Sequence, residues 1–389
     1  MSGNHTSNPD EGPLVFISVA EPSADQHAAR LIRACRAIRP SVRFVGVAGP
    51  HMVAAGCWPI FDMTRHSAML LGILGSVGRA AAMMTTCERH LRRYPFDAAV
   101  LLDSPTLHLP LAARAKAAGV PVFYYIAPQM WAWGAYRITK LRHRTDQVGV
   151  ILPFEEQYFR DQGIDATYVG HPLADVLAEE KIDEAVVAEI RRRGRPVIAL
   201  LPGSRKHVVE EVLPGQLEVS EEISRNIRGA TFGVSVAGDH LLASIQDRAS
   251  HSSADVRLYP GSHAELIRAA DLVLVASGTT TLEVAFAGKA MIVMYNASRL
   301  FYNLIGRRMI HTKYLSLPNI LAGREVVPEF MPYYRSTAPI AERAIELLRD
   351  DTVRSRMEED LRGVVEPIRT PGTARRVARM VLDMAADRG

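Results

Sequence analysis

The sequence predicts an α/β protein made of two doubly wound, parallel-sheet domains, and three observations carry that prediction. Its 389 residues exceed the roughly 250–300 that a single core serves before a chain divides. Short apolar, β-prone runs alternate with helical segments, the pattern of parallel strands covered by helices. That series is broken once, by the charged helical stretch from Asp175 to Arg195 with Gly194 and Pro196 at its end, and then begins again. We therefore expect an N-terminal domain over residues 1–180, a C-terminal domain over 181–365 and a terminal helical segment over 366–389.

In chain order, Leu14 to Val19 reads as the first strand. A turn at Glu21-Pro22-Ser23 follows, then a helix from about Asp25 to Ala37 with Arg30, Arg33 and Arg36 on its outer side. Phe44 to Val47, Ala98 to Leu102, Val122 to Ile126 and Gln147 to Leu152 complete the first set of strands, each ending in a loop with Gly, Pro or Asp. The second set is Val197 to Leu201, Thr231 to Val236, Val256 to Tyr259, Leu272 to Val275 and Met291 to Tyr295, after which the pattern becomes irregular around Pro318. Beyond Pro371-Gly372, Ala374 to Ala385 is amphipathic. It reads equally as an ordinary terminal helix or as a crossing back onto the first domain.

Composition narrows the class. Hydrophobic residues at 48% and charged residues at 23% are globular values. A formal charge of +4 gives no case for a nucleic-acid partner, although it suits an anionic ligand or surface. Cys35, Cys57 and Cys87 are odd in number and widely spaced, so a disulfide framework and a cysteine metal site are both disfavoured and a reducing cytoplasm fits. Met1 to Gly12 lacks a signal pattern, and no apolar run reaches the roughly 18–20 residues of a membrane span.

In open α/β sheets the ligand lies at the carboxyl ends of the strands, so polar loops directly after apolar runs are the candidate sites. Leu200 to Arg205 (LLPGSR) ends a strand in a glycine turn that presents Ser204 and Arg205. The guanidinium is either a fork for phosphate oxygens or a solvated surface group. In Ala276 to Glu283 (ASGTTTLE), Ser277, Gly278, Thr279 and Thr280 open a helix whose free N–H groups and dipole suit a diphosphate. Glu283 either accepts from ribose hydroxyls or simply complements that dipole. Asp103, at the end of the Ala98 to Leu102 strand, is placed as a general base or a loop cap. Trp131 and Trp133 stack on a ligand or belong to the core. His171, before a proline, reads as a structural group rather than a base. No P-loop pattern occurs, and no His, Cys and carboxylate cluster has metal-ligand spacing, so metal independence is expected.

The order of these motifs resembles the lipid-A-disaccharide synthase family from Val15 to about Met331. The carrying segments are SVAEPSAD (Ser18 to Asp25), FVGVAGPHMVAAG (Phe44 to Gly56), PQMWAW (Pro128 to Trp133), PFEEQYF (Pro153 to Phe159), VGHPLAD (Val169 to Asp175), LLPGSR, ASGTTTLE and YLSLPNILAGREVVPE (Tyr314 to Glu329). The resemblance implies two Rossmann-like domains facing a cleft, the GT-B arrangement. It implies a peripheral, metal-independent enzyme on the cytoplasmic face of the inner membrane, without a cofactor, that joins UDP-diacylglucosamine to lipid X and releases UDP. It assigns Ser204, Arg205, Ser277, Gly278, Thr279, Thr280, Glu283 and Asn319 to the UDP-sugar donor. Asp103 falls on the family's strand-end acid and Glu21 on its first-loop glutamate. Together with Arg205 they form the expected catalytic set.

This sequence departs from the family on the acceptor side. Ala20 and Ala24 stand where glycines are usual, Asp103-Ser104-Pro105-Thr106-Leu107 lacks a second carboxylate, and Gly72 to Val77 lacks an acid. Ala20 and Ala24 require that the first turn avoid positive φ or accept strain of roughly 1–2 kcal/mol. The apolar stretch Met69 to Met84 and the basic residues Arg137, Lys140, Arg142 and Arg144 are expected to meet a bilayer, or else to be a buried helix and a solvated face. A homo-oligomer is left open. Two other classes stand beside this reading: an isomerase of the UDP-N-acetylglucosamine epimerase type, and a non-catalytic nucleotide-sugar or lipid binder.

Overall fold

The computed structural model describes residues 12–62, 73–132, 134–296 and 312–387. Two compact units emerge, one of residues up to 179 together with those from 370 onward, the other of residues 180–369. The sequence placed the corresponding breaks at 180/181 and 365/366.

In the first unit the elements run β1 (Leu14–Ser18), α1 (Pro22–Ile38), β2 (Arg43–Ala48), α2 (Pro50–Ala54), β3 (Cys57–Asp62), α3 (Ile73–Arg93), β4 (Ala98–Leu102), α4 (Pro105–Ala117), β5 (Val122–Tyr125), α5 (Ile138–Arg144), β6 (Gln147–Val150), α6 (Pro153–Asp161), β7 (Ala166–Tyr168) and α7 (Pro172–Glu179). The seven strands form a parallel sheet in the order β3-β2-β1-β4-β5-β6-β7. Central β4 is apolar and buried along its whole length, as a strand covered on both faces must be. Strands β3 and β7 are not foreseen by the sequence. The first is an edge strand carrying Pro59 and an exposed Trp58, tolerable only where one side of the ladder is free; the second has three residues.

The second unit runs α8 (Glu184–Arg192), β8 (Val197–Leu201), α9 (Lys206–Asn226), β9 (Thr231–Val236), α10 (Asp239–Ser250), β10 (Val256–Pro260), α11 (His263–Ala269), β11 (Leu272–Ala276), α12 (Thr280–Phe286), β12 (Met291–Met294), α13 (Leu317–Ala322), β13 (Glu329–Phe330), α14 (Ala338–Arg349) and α15 (Asp351–Val365). Its sheet, also parallel, has the order β10-β9-β8-β11-β12-β13. Both sheets thus reverse strand order once, between β1 and β4 and between β8 and β11. These are the switch points at which such folds bind ligands.

The last helix, α16 (Thr373–Ala386), resolves the alternative left by the sequence. Val377, Ala378, Val381 and Leu382 share one core with Phe16, Leu31, Ile32 and Cys35 of the first unit, so the chain crosses back. A buried carboxylate fastens it there. Asp175 accepts from the backbone N–H groups of Gly372 (2.5 Å), Thr373 (3.2 Å) and Ala374 (2.9 Å), satisfying orphan donors of the α16 N-terminus.

Candidate active site

The loops after β1 and β4 flank the first switch point. After β1, Glu21 is the N-cap of α1 in extended conformation and Pro22 takes the first helical position, where its missing N–H costs nothing. Neither Ala20 nor Ala24 has positive φ, so the glycine-to-alanine departures are accommodated without backbone strain. Buried Asp25 reaches across to accept from the N–H groups of Gly49 (3.1 Å), His51 (2.9 Å) and Met52 (3.1 Å). The first two signature segments are thereby tied together through a helix start.

After β4 the backbone is strained. Asp103 has φ 51° and Ser104 has φ 44°, a left-handed pair built without glycine, at roughly 1–2 kcal/mol per residue. The loop after β5 holds Ile126, with φ 61°. The Asp103 carbonyl accepts two side-chain hydrogen bonds, from the Tyr124 hydroxyl at 2.5 Å and from His108 Nδ1 at 2.8 Å. His108 Nε2 lies 3.0 Å from Ser18 Oγ. Burial depresses the His108 pKa to about 4, so the ring is neutral.

Other signature residues of this unit act as braces. Trp131 Nε1 donates to Glu155 at 2.9 Å, and the other oxygen of that carboxylate accepts from the N–H groups of Ile151 and Leu152. Burial pushes Glu155 up to about 7. Trp131 also packs edge-on against Phe154, 5.0 Å between centroids. His171 Nδ1 accepts from the Leu173 N–H at 3.2 Å, and burial lowers its pKa to about 4. Of the basic residues on and beside α5, Arg142 and Arg144 bond the carbonyls of Gln162 and Leu109, and Lys140 and Arg142 are exposed. Trp133 and residues 69–72 of the apolar Met69 to Met84 stretch lie outside the described residues, and the rest of that stretch opens α3.

At the second switch point glycine supplies the turns. Gly203 has φ 105° and leads through Ser204 to Arg205, the exposed N-cap of α9. Gly278 has φ 146° and precedes α12, a conformation open essentially to glycine alone. Its carbonyl accepts from the Thr281 hydroxyl at 2.7 Å, which shapes the turn. Ser277, Gly278, Thr279 and Thr280 are exposed or half-buried at a helix start, where the first N–H groups have no partner within the helix. The structure therefore brings Ser204 and Arg205 together with Ser277 to Glu283, on loops of adjacent strands β8 and β11.

Glu283 belongs to a chain that the sequence did not reveal. His263 Nε2 meets its carboxylate at 2.9 Å, and His263 Nδ1 meets Ser235 Oγ at 2.8 Å. Ser235 lies at the end of β9, His263 opens α11 after β10, and Glu283 lies in α12 after β11. Looking for a polar residue after the Val256 to Tyr259 run would have found His263.

Asn319, expected at the donor, is fully buried, and its side chain accepts from Val326 N–H (2.7 Å) and Val327 N–H (3.0 Å) while donating to the Val327 carbonyl (2.9 Å). An amide so occupied shapes its own loop. Glu329 closes the same segment by accepting from the N–H groups of Leu315 and Ser316. Among the described residues no group of three or more His, Cys, Asp and Glu side chains is placed to hold a metal.

Comparison with known proteins places this arrangement. The family profile described as Lipid-A-disaccharide synthetase matches residues 15–374. A protein of Syntrophus aciditrophicus (strain SB) named Lipid-A-disaccharide synthase is 35% identical over 381 residues, covering 95% of this chain and 97% of that protein. Among solved structures, the UDP-GlcNAc 2-epimerase from Neisseria meningitidis bound to UDP-GlcNAc aligns with a TM-score of 0.64 at 13% identity, over 97% of this chain and all (100%) of the other. Acinetobacter baumannii MurG aligns at 0.57 and 12% identity, over 95% and 99%. At such identities the two structures speak for the fold alone.

Proposed function

The chain belongs to the lipid-A-disaccharide synthase family, and from that premise we propose that it joins UDP-2,3-diacylglucosamine to 2,3-diacylglucosamine 1-phosphate (lipid X), yielding lipid A disaccharide 1-phosphate and UDP. One observation carries the reading: the loops at both topological switch points hold the expected chemistry, with Glu21 and Asp103 at the first and Ser204, Arg205 and Ser277 to Glu283 at the second. The acceptor's primary hydroxyl attacks the donor's anomeric carbon from the face opposite UDP, inverting it, while Asp103 takes the proton. Negative charge developing on the departing diphosphate is stabilised by the Arg205 guanidinium and by the exposed N–H groups before α12. Glu283, oriented by His263, accepts from the ribose. With a cation and a helix start serving the diphosphate, no metal is required.

Both substrates are acylated, so the enzyme works as a peripheral protein at the membrane surface. Among the described residues no helix is long and apolar enough to cross a bilayer, and exposed Lys140 and Arg142 suit anionic head groups. The likeness to epimerases is one of fold and gives no reason to prefer isomerisation. Incubating the chain with UDP-2,3-diacylglucosamine and lipid X, followed by mass spectrometry, should yield the disaccharide 1-phosphate and an equal amount of UDP. Epimerised donor, or binding without product, would refute the proposal.

A further inference from the structure

Two buried side chains from different elements bond one backbone carbonyl, and a third, from another element, bonds one of the two. Ser18 ends β1, Tyr124 lies in β5 and His108 in the first turns of α4; each is fully buried. The carbonyl is that of Asp103, the first of two consecutive non-glycine residues with positive φ. A carbonyl oxygen only accepts, so the 2.8 Å contact requires the proton on His108 Nδ1. In the neutral ring Nε2 then accepts, and the Ser18 hydroxyl at 3.0 Å must donate to it. The Tyr124 hydroxyl, 2.5 Å away, donates to the same carbonyl. The β-ladder adds one more tie, the Asp103 N–H donating to the Tyr125 carbonyl at 3.1 Å. The left-handed pair lies between the end of β4 and the start of α4, where Ser104 is the N-cap.

We propose that Ser18, His108 and Tyr124 are positioning residues which hold the strained Asp103-Ser104 backbone and so fix the Asp103 carboxylate for proton removal from the acceptor. This rests on Asp103 being the base, and the test separates the two claims. Steady-state kinetics of the full chain would compare Tyr124→Phe, His108→Ala, His108→Asn and Asp103→Asn. Tyr124→Phe and His108→Ala should each lower kcat by about ten- to a hundredfold, the scale set by small misplacements of a reacting group, with donor KM and UDP affinity within about twofold of wild type. His108→Asn, whose amide N–H can meet the same carbonyl, should recover most of the turnover lost in His108→Ala.

If Tyr124→Phe and His108→Ala retain kcat within about twofold while Asp103→Asn is impaired, the positioning claim is wrong and the base assignment stands. Full turnover in Asp103→Asn removes the base assignment and the positioning claim with it. Should His108→Ala fail to fold, Tyr124→Phe, which loses a single hydroxyl, decides the matter alone.

Discussion

The two switch points solve different problems with different backbones. In the first unit the turns after β4 and β5 put Asp103, Ser104 and Ile126 at positive φ, and buried His108 and Tyr124 bond the Asp103 carbonyl. In the second, Gly203 and Gly278 take the positive φ values, and the neighbouring residues offer main-chain N–H groups. Under the proposed function, the functional group explains the difference. An anion can be held by bare backbone, so glycine is free to make the turn. A base must carry its own side chain. Where such a residue occupies the left-handed turn itself, the surrounding structure has to over-determine the conformation.

Acidification should strike the first unit hardest. His108 and His171 have folded pKa values near 4, against an ordinary 6.5, because burial disfavours the cation. Their contribution to stability is whole above pH 6.5 and is lost as the pH falls toward 4, on the order of 3 kcal/mol each. Glu155 works in the opposite sense: raised to about 7 from 4.5, it contributes stability below about pH 4.5 that disappears as pH rises through 7. All three tryptophans, Trp58, Trp131 and Trp133, belong to this unit, so urea titrations followed by tryptophan fluorescence report on it selectively. The midpoint should fall between pH 6.5 and 4, and more steeply in Glu155→Gln. An unchanged midpoint would contradict the burial argument.

A smaller effect is expected at the other switch point. Gly278→Ala forces a side chain into φ 146°, at a cost of about 1–3 kcal/mol. The turn should distort, weakening UDP binding by about five- to a hundredfold and leaving the tryptophan-detected transition in place. Undiminished UDP affinity would show that this turn does not hold the diphosphate.

Much of this was legible in the sequence, because apolar strands followed by polar loops are set by local pattern. Asp103, Arg205 and the run from Ser277 to Glu283 all fall at switch points for that reason. The misses have physical causes. Strand β3 carries Pro59 and exposed Trp58, and β13 has two residues, too little pattern for a period to be read. The bonds of the Asn319 amide to Val326 and Val327 are likewise visible only once the loop is folded. Ser18, His108 and Tyr124 look like ordinary core residues in the sequence, since nothing local announces that Asp103 and Ser104 leave the usual region of φ.

The proposed mechanism requires the second unit to grip a nucleoside diphosphate through Arg205 and the Gly278 turn while Asp103 serves chemistry alone. Titration calorimetry with UDP tests it directly on three proteins. The wild type and Asp103→Asn should bind UDP with affinities within about twofold of each other, and Arg205→Ala should lose about 1.5–3 kcal/mol of binding, the worth of a hydrogen bond to a charged group. No heat with the wild type, or equal affinity after Arg205→Ala, would contradict it.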